Sequence, residues 1–311
     1  VTSGSLPGVA PAADFALTAM LLQQVINGLV LGSVYALTAV GFSLVFSVLE
    51  IINFSHGSML MLGAYFGLVL IGAMGWGFLP AMAASAILVA VAGAIVERAT
   101  VAPLRRRDSP RVLALISTIG ASITLEAAAQ LVWGAQVRGY PSPLPAGGFA
   151  LGAARVTYLE CSIVLITAIL MTGLGVFVRR SRTGRAIRAI AQNLPAARLM
   201  GIDVERTIVA VFAMGSAIGA VAGMLTGAYF SFAQPSMGFL PGIKGFVAAV
   251  LGGMGSVVGA GLGGLLLGVV ESLGGGLLSF EYKDAIVFGV LILILIVRPS
   301  GILGYDSGEK V

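Results

Sequence analysis

Apolar runs of 17 or more residues recur along this chain, and each is long enough to cross about 30 Å of hydrocarbon as a helix. Composition points the same way. Hydrophobic residues make up 58% and charged residues 10%, where soluble domains average about 45–50% and about 25%. The unit that organises such a chain is the span rather than the soluble domain. The sequence therefore predicts an all-α fold, a polytopic transmembrane helical bundle.

The 311 residues hold one cysteine, Cys161, and one histidine, His56. That rules out a disulfide framework and argues against a Cys/His metal cluster. Val1–Asp14 is small and Pro/Ala-rich, without the basic region of a signal peptide. Residues 1–16 are expected as a flexible lead, 17–300 as the transmembrane domain and 301–311 as a polar tail. The net charge of +5 lies in loops between spans, so membrane orientation explains it without nucleic acid.

The spans are expected at about Met20–Leu49, Met59–Ala73, Pro80–Val96, Val112–Trp133, Tyr158–Val178, Thr207–Phe232, Phe246–Gly253, Ser256–Gly276 and Ala285–Val297. Two of these are short, so the count is eight or nine. Gly28, Gly32 and Ala36 repeat every fourth residue, as do Gly255, Gly259 and Gly263, a spacing that lets helices approach closely. Fourteen of the eighteen basic residues fall in the 98–111 loop, the 179–206 segment and the C-terminal end. Positive charge marks the cytoplasmic side. The N-terminus is then outside and the C-terminus cytoplasmic.

Arg179–Arg206 is a polar island carrying seven basic residues between two apolar spans. Helical spacing from Gly184 puts Ile187, Ile190, Ala191 and Leu194 on one side and Arg185, Arg188 and Gln192 on another, an amphipathic pattern. Pro195 breaks or restarts the helix, and Gly201 reads as its stop. An orienting loop needs less organisation than this. The segment is expected either to lie on the cytoplasmic surface or to dock small residues (Ala186, Ala189, Ala196, Ala197) into a partner.

Ser55-His56-Gly57 and Pro241-Gly242-Ile243-Lys244-Gly245 interrupt opposite halves of the chain. Paired Gly/Pro-broken segments point to a transporter midplane and an inverted internal repeat, although no residue identity joins the halves. His56 reads first as an interfacial polar residue and second as a proton relay. Lys244 is expected to snorkel. Glu126 and Glu271 lie within spans, where a charge at the helix centre costs about 2.5–3.5 kcal/mol. Each must face protein or water, either as an acidic lining or as a protonated or paired structural carboxylate. Gln24, Asn27, Asn53, His56, Glu126 and Glu271 are the candidate pathway residues.

Gly252-Gly253-Met254-Gly255 has the wrong spacing for a dinucleotide fingerprint and reads as helix packing. No Gly-x-x-x-x-Gly-Lys-Ser/Thr occurs. The chain therefore has no P-loop, and neither a catalytic constellation nor a cofactor is expected in it.

Several stretches resemble the LivH-type permease of bacterial branched-chain amino acid ABC importers. They are Gln23-Gln24-Val25-Ile26-Asn27-Gly28-Leu29, Ile52-Asn53-Phe54-Ser55-His56-Gly57, Gly201-Ile202-Asp203, Ala248-Ala249-Val250-Leu251-Gly252-Gly253-Met254-Gly255-Ser256 and Glu281-Tyr282-Lys283-Asp284. The first sixteen residues stand outside the pattern, and Ser55 occupies a position where Ala is expected. The resemblance implies a bacterial inner-membrane permease paired with a second, homologous permease. It also implies two cytoplasmic ATPase subunits that use ATP, and a periplasmic binding protein that delivers Leu, Ile or Val. It places a coupling helix at Arg185–Gly201, with Arg185, Arg188, Ala197 and Gly201 as coupling residues. Related importers carry urea, amides or other amino acids. The rival is a proton-coupled secondary transporter using Glu126, Glu271 or His56, which needs no large cytoplasmic docking helix.

Overall fold

A computed structural model describes residues 10–142, 144–145, 147–277, 279–298 and 300–304, with the backbone alone for residues 10–16 and 280. Helix α1 (Ala10–Leu49) begins within the expected lead, whose residues 1–9 lie outside the described residues. So do residues 305–311 of the expected tail. Then come α2 (His56–Leu68), prolonged by a π-helical turn at Val69–Ala73, and α3 (Phe78–Val96), which runs through a second such turn into α4 (Ala102–Arg106). Next are α5 (Arg111–Trp133), strands β1 (Arg138–Gly139), β2 (Gly148–Leu151) and β3 (Ala154–Thr157), and α6 (Tyr158–Arg180). After them follow α7 (Arg182–Gln192), α8 (Leu194–Leu199), α9 (Val204–Phe230), β4 (Phe232–Ala233), α10 (Phe239–Gly252), α11 (Val257–Leu277) and α12 (Lys283–Val297).

Among the described residues seven helical stretches are long and apolar enough to cross a membrane. Helix α10, with 14 residues, is not. It starts six residues before Gly245, although the sequence placed Pro241–Gly245 in a loop. Pro241 is tolerated because it stands in the first turn, where backbone N–H groups have no helical partner.

Packing in lipid depends on close contact, because the tails are as apolar as the side chains. Helices α1 and α11 run antiparallel along the stripe read from the sequence. A Cβ on Gly28 would lie 2.7 Å from Val269 Cα and one on Gly32 2.9 Å from Leu265 Cα, while Gly264 and Gly268 press on Ala36 and Gly32. The other long central helix, α9, packs on α2 and α3, with Gly63 against Ala220 and Gly93 against Ser216. Each half thus lends its first long helix to the other: α1 lies on α10 and α11, α9 on α2 and α3.

The two broken segments cross in opposite directions. Glu50 pairs with Arg111 at the end of the bundle that carries the island. From there the chain climbs through a non-helical stretch and α2 to the far end, where Gly67 meets Tyr140 and Gly72 meets Pro141. Residues 231–256 start at that far end, where β4 pairs with β1, and return to the α11 start, where the Gly255 N–H donates to Ser43 Oγ at 3.1 Å. The starts of α2 and α10 touch inside the bundle, Gly57 against Gly238. Opposed crossings with exchanged long helices are the arrangement of an inverted repeat.

The loop between α5 and α6 carries regular structure. Strands β2 and β3 form a hairpin, and β1 joins β4 across the far end. Tyr140 follows β1 and is buried, its ring against Gly227. Burial holds its hydroxyl well above the ordinary tyrosine pKa.

Candidate translocation and coupling site

The island folds as two short helices standing on the bundle. Ser181 caps α7, its Oγ accepting from the Gly184 N–H at 2.8 Å, and Asn193 caps α8, its Oδ1 accepting from the Ala196 N–H at 2.9 Å. A Cβ at Gly184 would strike the Val178 backbone, so only glycine lets α7 fold back so tightly on α6. Ile187 and Ile190 are buried with Leu44, Val45 and Val48 of α1 and with Ile208, Val211 and Phe212 of α9. The apolar face predicted for this helix therefore faces the chain's own core. Ala191 is exposed instead, and Leu194 packs at the margin.

The four residues expected to couple divide into anchors and surface. Ala197 is buried in the same cluster. Arg188 Nη1 donates to the Val178 carbonyl and Arg185 Nη1 to the Arg180 carbonyl at 3.4 Å. Both arginines thus reach the last turn of α6, where carbonyls lack helical partners. Gly201 ends the segment at φ 77°, a left-handed turn suited to glycine. The sequence did not single out Leu199 and Met200. They are 90% and 82% exposed, an apolar tip on an otherwise polar surface.

Beside this segment lies a cleft of about 530 Å³, bordered by Glu50, Asp108, Arg111, Asn193 and Pro195. Glu50 and Asp108 adopt left-handed backbone, at φ 52° and 47°. Such conformations are costly for residues with a side chain and collect at working sites.

The six candidate pathway residues do not form one site. Gln24 Oε1 accepts from Ser272 Oγ at 2.8 Å, and Asn27 Oδ1 accepts from Gln23 Nε2 at 2.9 Å, both at the hairpin end. Asn53 shapes the turn into α2, its Oδ1 accepting from the Ser55 N–H and, at 2.6 Å, from Ser55 Oγ. Glu126 is half-buried, one turn beyond Ser122, whose hydroxyl lies 2.7 Å from Ser58 Oγ on α2. Thr118, one turn before Ser122, accepts from the Phe54 N–H. A polar stripe thus runs along the α5 face toward α2, with Trp133 stacked on Tyr65 at its end.

Two expectations require correction. His56 is not interfacial: it is 1% exposed at the start of α2, wedged between Gly41 and Gly219 with its ring 4.7 Å from that of Phe42. The bundle closes over it because α1 and α9 offer glycines where larger residues would collide. Lys244 does not snorkel. It is buried, with Nζ 2.6 Å from Glu271 Oε1, 2.7 Å from Asp284 Oδ1 and 5.7 Å from the centre of the Tyr35 ring. Glu271 is thereby the paired carboxylate of the two alternatives, not a free acidic lining. The pairing had a sequence signal: Lys244 and Glu271 are lone, opposite charges in two neighbouring apolar segments.

Among the described residues no group of three or more His, Cys, Asp or Glu side chains is placed to hold a metal. The family described as the permease component of branched-chain amino acid transport systems matches residues 24–295. The chain is 43% identical over 303 residues to the high-affinity branched-chain amino acid transport permease BraD of Pseudomonas aeruginosa, covering 93% of this chain and 98% of BraD. It is equally similar to LivH of Escherichia coli K12, over 93% of this chain and 97% of LivH. A probable LivH of Methanocaldococcus jannaschii is 28% identical, over 91% and 93%. No solved structure matches the chain. A multi-pass helical bundle with opposed broken segments, matched nearly end to end by these permeases, belongs to the branched-chain amino acid transport permease family.

Proposed function

We propose that this chain is the membrane subunit of an ATP-driven importer of branched-chain amino acids, working by alternating access. In this reading it pairs with a second, homologous permease and receives Leu, Ile or Val from a periplasmic binding protein. Two cytoplasmic ATPase subunits hold and hydrolyse the ATP. The island end faces the cytoplasm of a bacterial inner membrane, which supports an N-terminus outside and a C-terminus inside.

The observation that carries this reading is the exposed Leu199–Met200 tip. Large apolar side chains presented together on a water-facing element mark a protein contact. The tip stands on α7 and α8, which are anchored in the bundle through Ile187, Ile190 and Ala197. A push on the tip is therefore transmitted to α1 and α9, the helices exchanged between the two halves. Arg188 and Ala197 hold the lever, and Gly201 turns it back toward α9.

The test is the double variant Leu199→Asp with Met200→Asp in vesicles containing the complete importer. Insertion should be kept while ATP-dependent leucine uptake falls by at least tenfold, the ~1.4 kcal/mol equivalent of one lost hot-spot contact. Unchanged uptake in that variant would overturn the docking role. Uptake driven by a proton gradient with no ATPase subunits present would overturn the importer reading itself.

A further inference from the structure

A second cleft, of about 490 Å³, opens where α3 and α4 meet the start of α9. It is lined by Arg98, Arg106, Arg107 and Arg206 together with Glu97 and Glu205. Both glutamates are already claimed. Arg105 Nη1 donates to Glu97 Oε1 and Nη2 to Glu205 Oε2, each at 2.8 Å, so one guanidinium clamps α3 to α9. Arg106 adds a longer contact to Glu205 at 3.4 Å, and Arg206 pairs with Asp203 at 3.0 Å. Among the described residues Arg98 and Arg107 have no carboxylate partner. The cleft therefore keeps a surplus of positive charge, and guanidinium forks suit phosphate oxygens.

Its depth in the membrane follows from helix length. The stretch Phe78–Arg106 is 29 residues, about 44 Å at 1.5 Å per residue, against about 30 Å of hydrocarbon. About twenty residues fill the hydrocarbon, which brings Arg98 to headgroup level. Ile87, Val91 and Ile95 form an exposed apolar stripe down α3, and Arg98 continues it one turn later. An acyl chain lying along that stripe would bring its own phosphate to the cleft. Basic pockets between transmembrane helices on this side of a membrane take anionic headgroups.

We propose that this cleft binds the phosphate headgroup of an anionic phospholipid of the cytoplasmic leaflet, through Arg98 and Arg107. The bound lipid seals the hydrophilic seam at the α3–α9 clamp against the hydrocarbon. The proposal does not depend on which substrate the importer carries.

The test is lipid retention on the full-length chain released from detergent, read by native mass spectrometry after incubation with phosphatidylglycerol or phosphatidylcholine. Phosphatidylglycerol, the anionic one of the two, should be retained preferentially. Arg98→Gln with Arg107→Gln should lower its retention about thirtyfold, the combined effect of two arginines at a charged surface. Arg98→Lys with Arg107→Lys should retain most of it, which separates lost charge from lost folding. Arg138→Gln, at the opposite end of the bundle, should change nothing. Equal retention of both lipids, or undiminished retention in the Gln double variant, would overturn the proposal. So would displacement of the lipid by millimolar inorganic phosphate, which would make this a site for the free anion.

Discussion

Lys244 Nζ lies 2.6 Å from Glu271 Oε1, and through that pair α10 is tied to α11 inside the bundle. Asp284 of α12 closes the same cluster from a half-exposed position at 2.7 Å. Removing one member of a buried pair leaves the other charged and unsolvated, a cost of about 3–5 kcal/mol. Replacing both by apolar residues of similar volume is often neutral. Lys244→Met alone and Glu271→Met alone should each lower the melting temperature of the purified chain sharply. Lys244→Met with Glu271→Met should recover most of it. Additive losses in the double variant would show that the two residues do not act as a pair.

Glycines along the α1–α11 seam should behave oppositely to glycines on the outer faces. Gly264 presses on Ala36 with no space for a Cβ, whereas Gly173 of α6 has nothing within 4 Å. Gly264→Ala forces the helices apart and should cost about 1–3 kcal/mol, the usual range for overpacking. Gly173→Ala adds helix propensity in open space and should be neutral or stabilising by up to about 1 kcal/mol. Thermal unfolding in detergent measures both. Equal effects would mean that the seam is looser than its contacts indicate.

The long spans, the close-packing stripe and the amphipathic island were legible because each repeats at helical spacing. Gly28, Gly32 and Ala36 announced a close partner, but nothing local named α11 as that partner. Which way a face turns was legible only in part. Ile187 and Ile190 were assigned to one side of α7, yet hydropathy cannot tell a face buried in its own core from one buried in a partner. His56 and Lys244 were misplaced for the same reason. A single polar residue gives its cost but not its neighbours, and the neighbours, Gly41 and Gly219 for one and Glu271 and Asp284 for the other, come from distant segments. Loop order at the far end depended on pairing between residues 138–139 and 232–233, which no local pattern reveals.

Tyr140 makes a pH prediction outside the spans. Among the described residues its buried hydroxyl has no hydrogen-bond partner, and burial holds its pKa above that of an unfolded tyrosine. A group whose folded pKa is raised contributes stability below the unfolded pKa, and that contribution is lost as pH rises above it. The loss should therefore set in above about pH 10, where the unfolded chain begins to release the proton. Tyr140→Phe removes this dependence and an unsatisfied polar atom together. At pH 7 the variant should be as stable as the parent or more so, and its melting temperature should fall less steeply between pH 9 and 11. An equally steep fall in parent and variant would mean that the hydroxyl ionises freely in the folded protein.

The island offers the sharpest separation of anchoring from docking. Arg188 reaches back to the Val178 carbonyl at the C-terminal end of α6, where a cation is favoured by roughly 0.3–1 kcal/mol and an anion is disfavoured. Arg188→Gln should therefore lower thermal stability slightly, and Arg188→Glu more. Leucine imported per ATP hydrolysed should decline in step with the loosened α6–α7 corner. Arg185, with its longer 3.4 Å contact to the Arg180 carbonyl, should affect stability less. Charge reversal at Arg185 and Arg188 together should leave hydrolysis running while uptake falls, because the lever can still be pushed but no longer moves α1 and α9 in register. Full coupling in that double variant, measured as leucine imported per ATP, would show that the two arginines only orient the loop. Loss of ATPase binding would place them at the docking surface beside Leu199 and Met200.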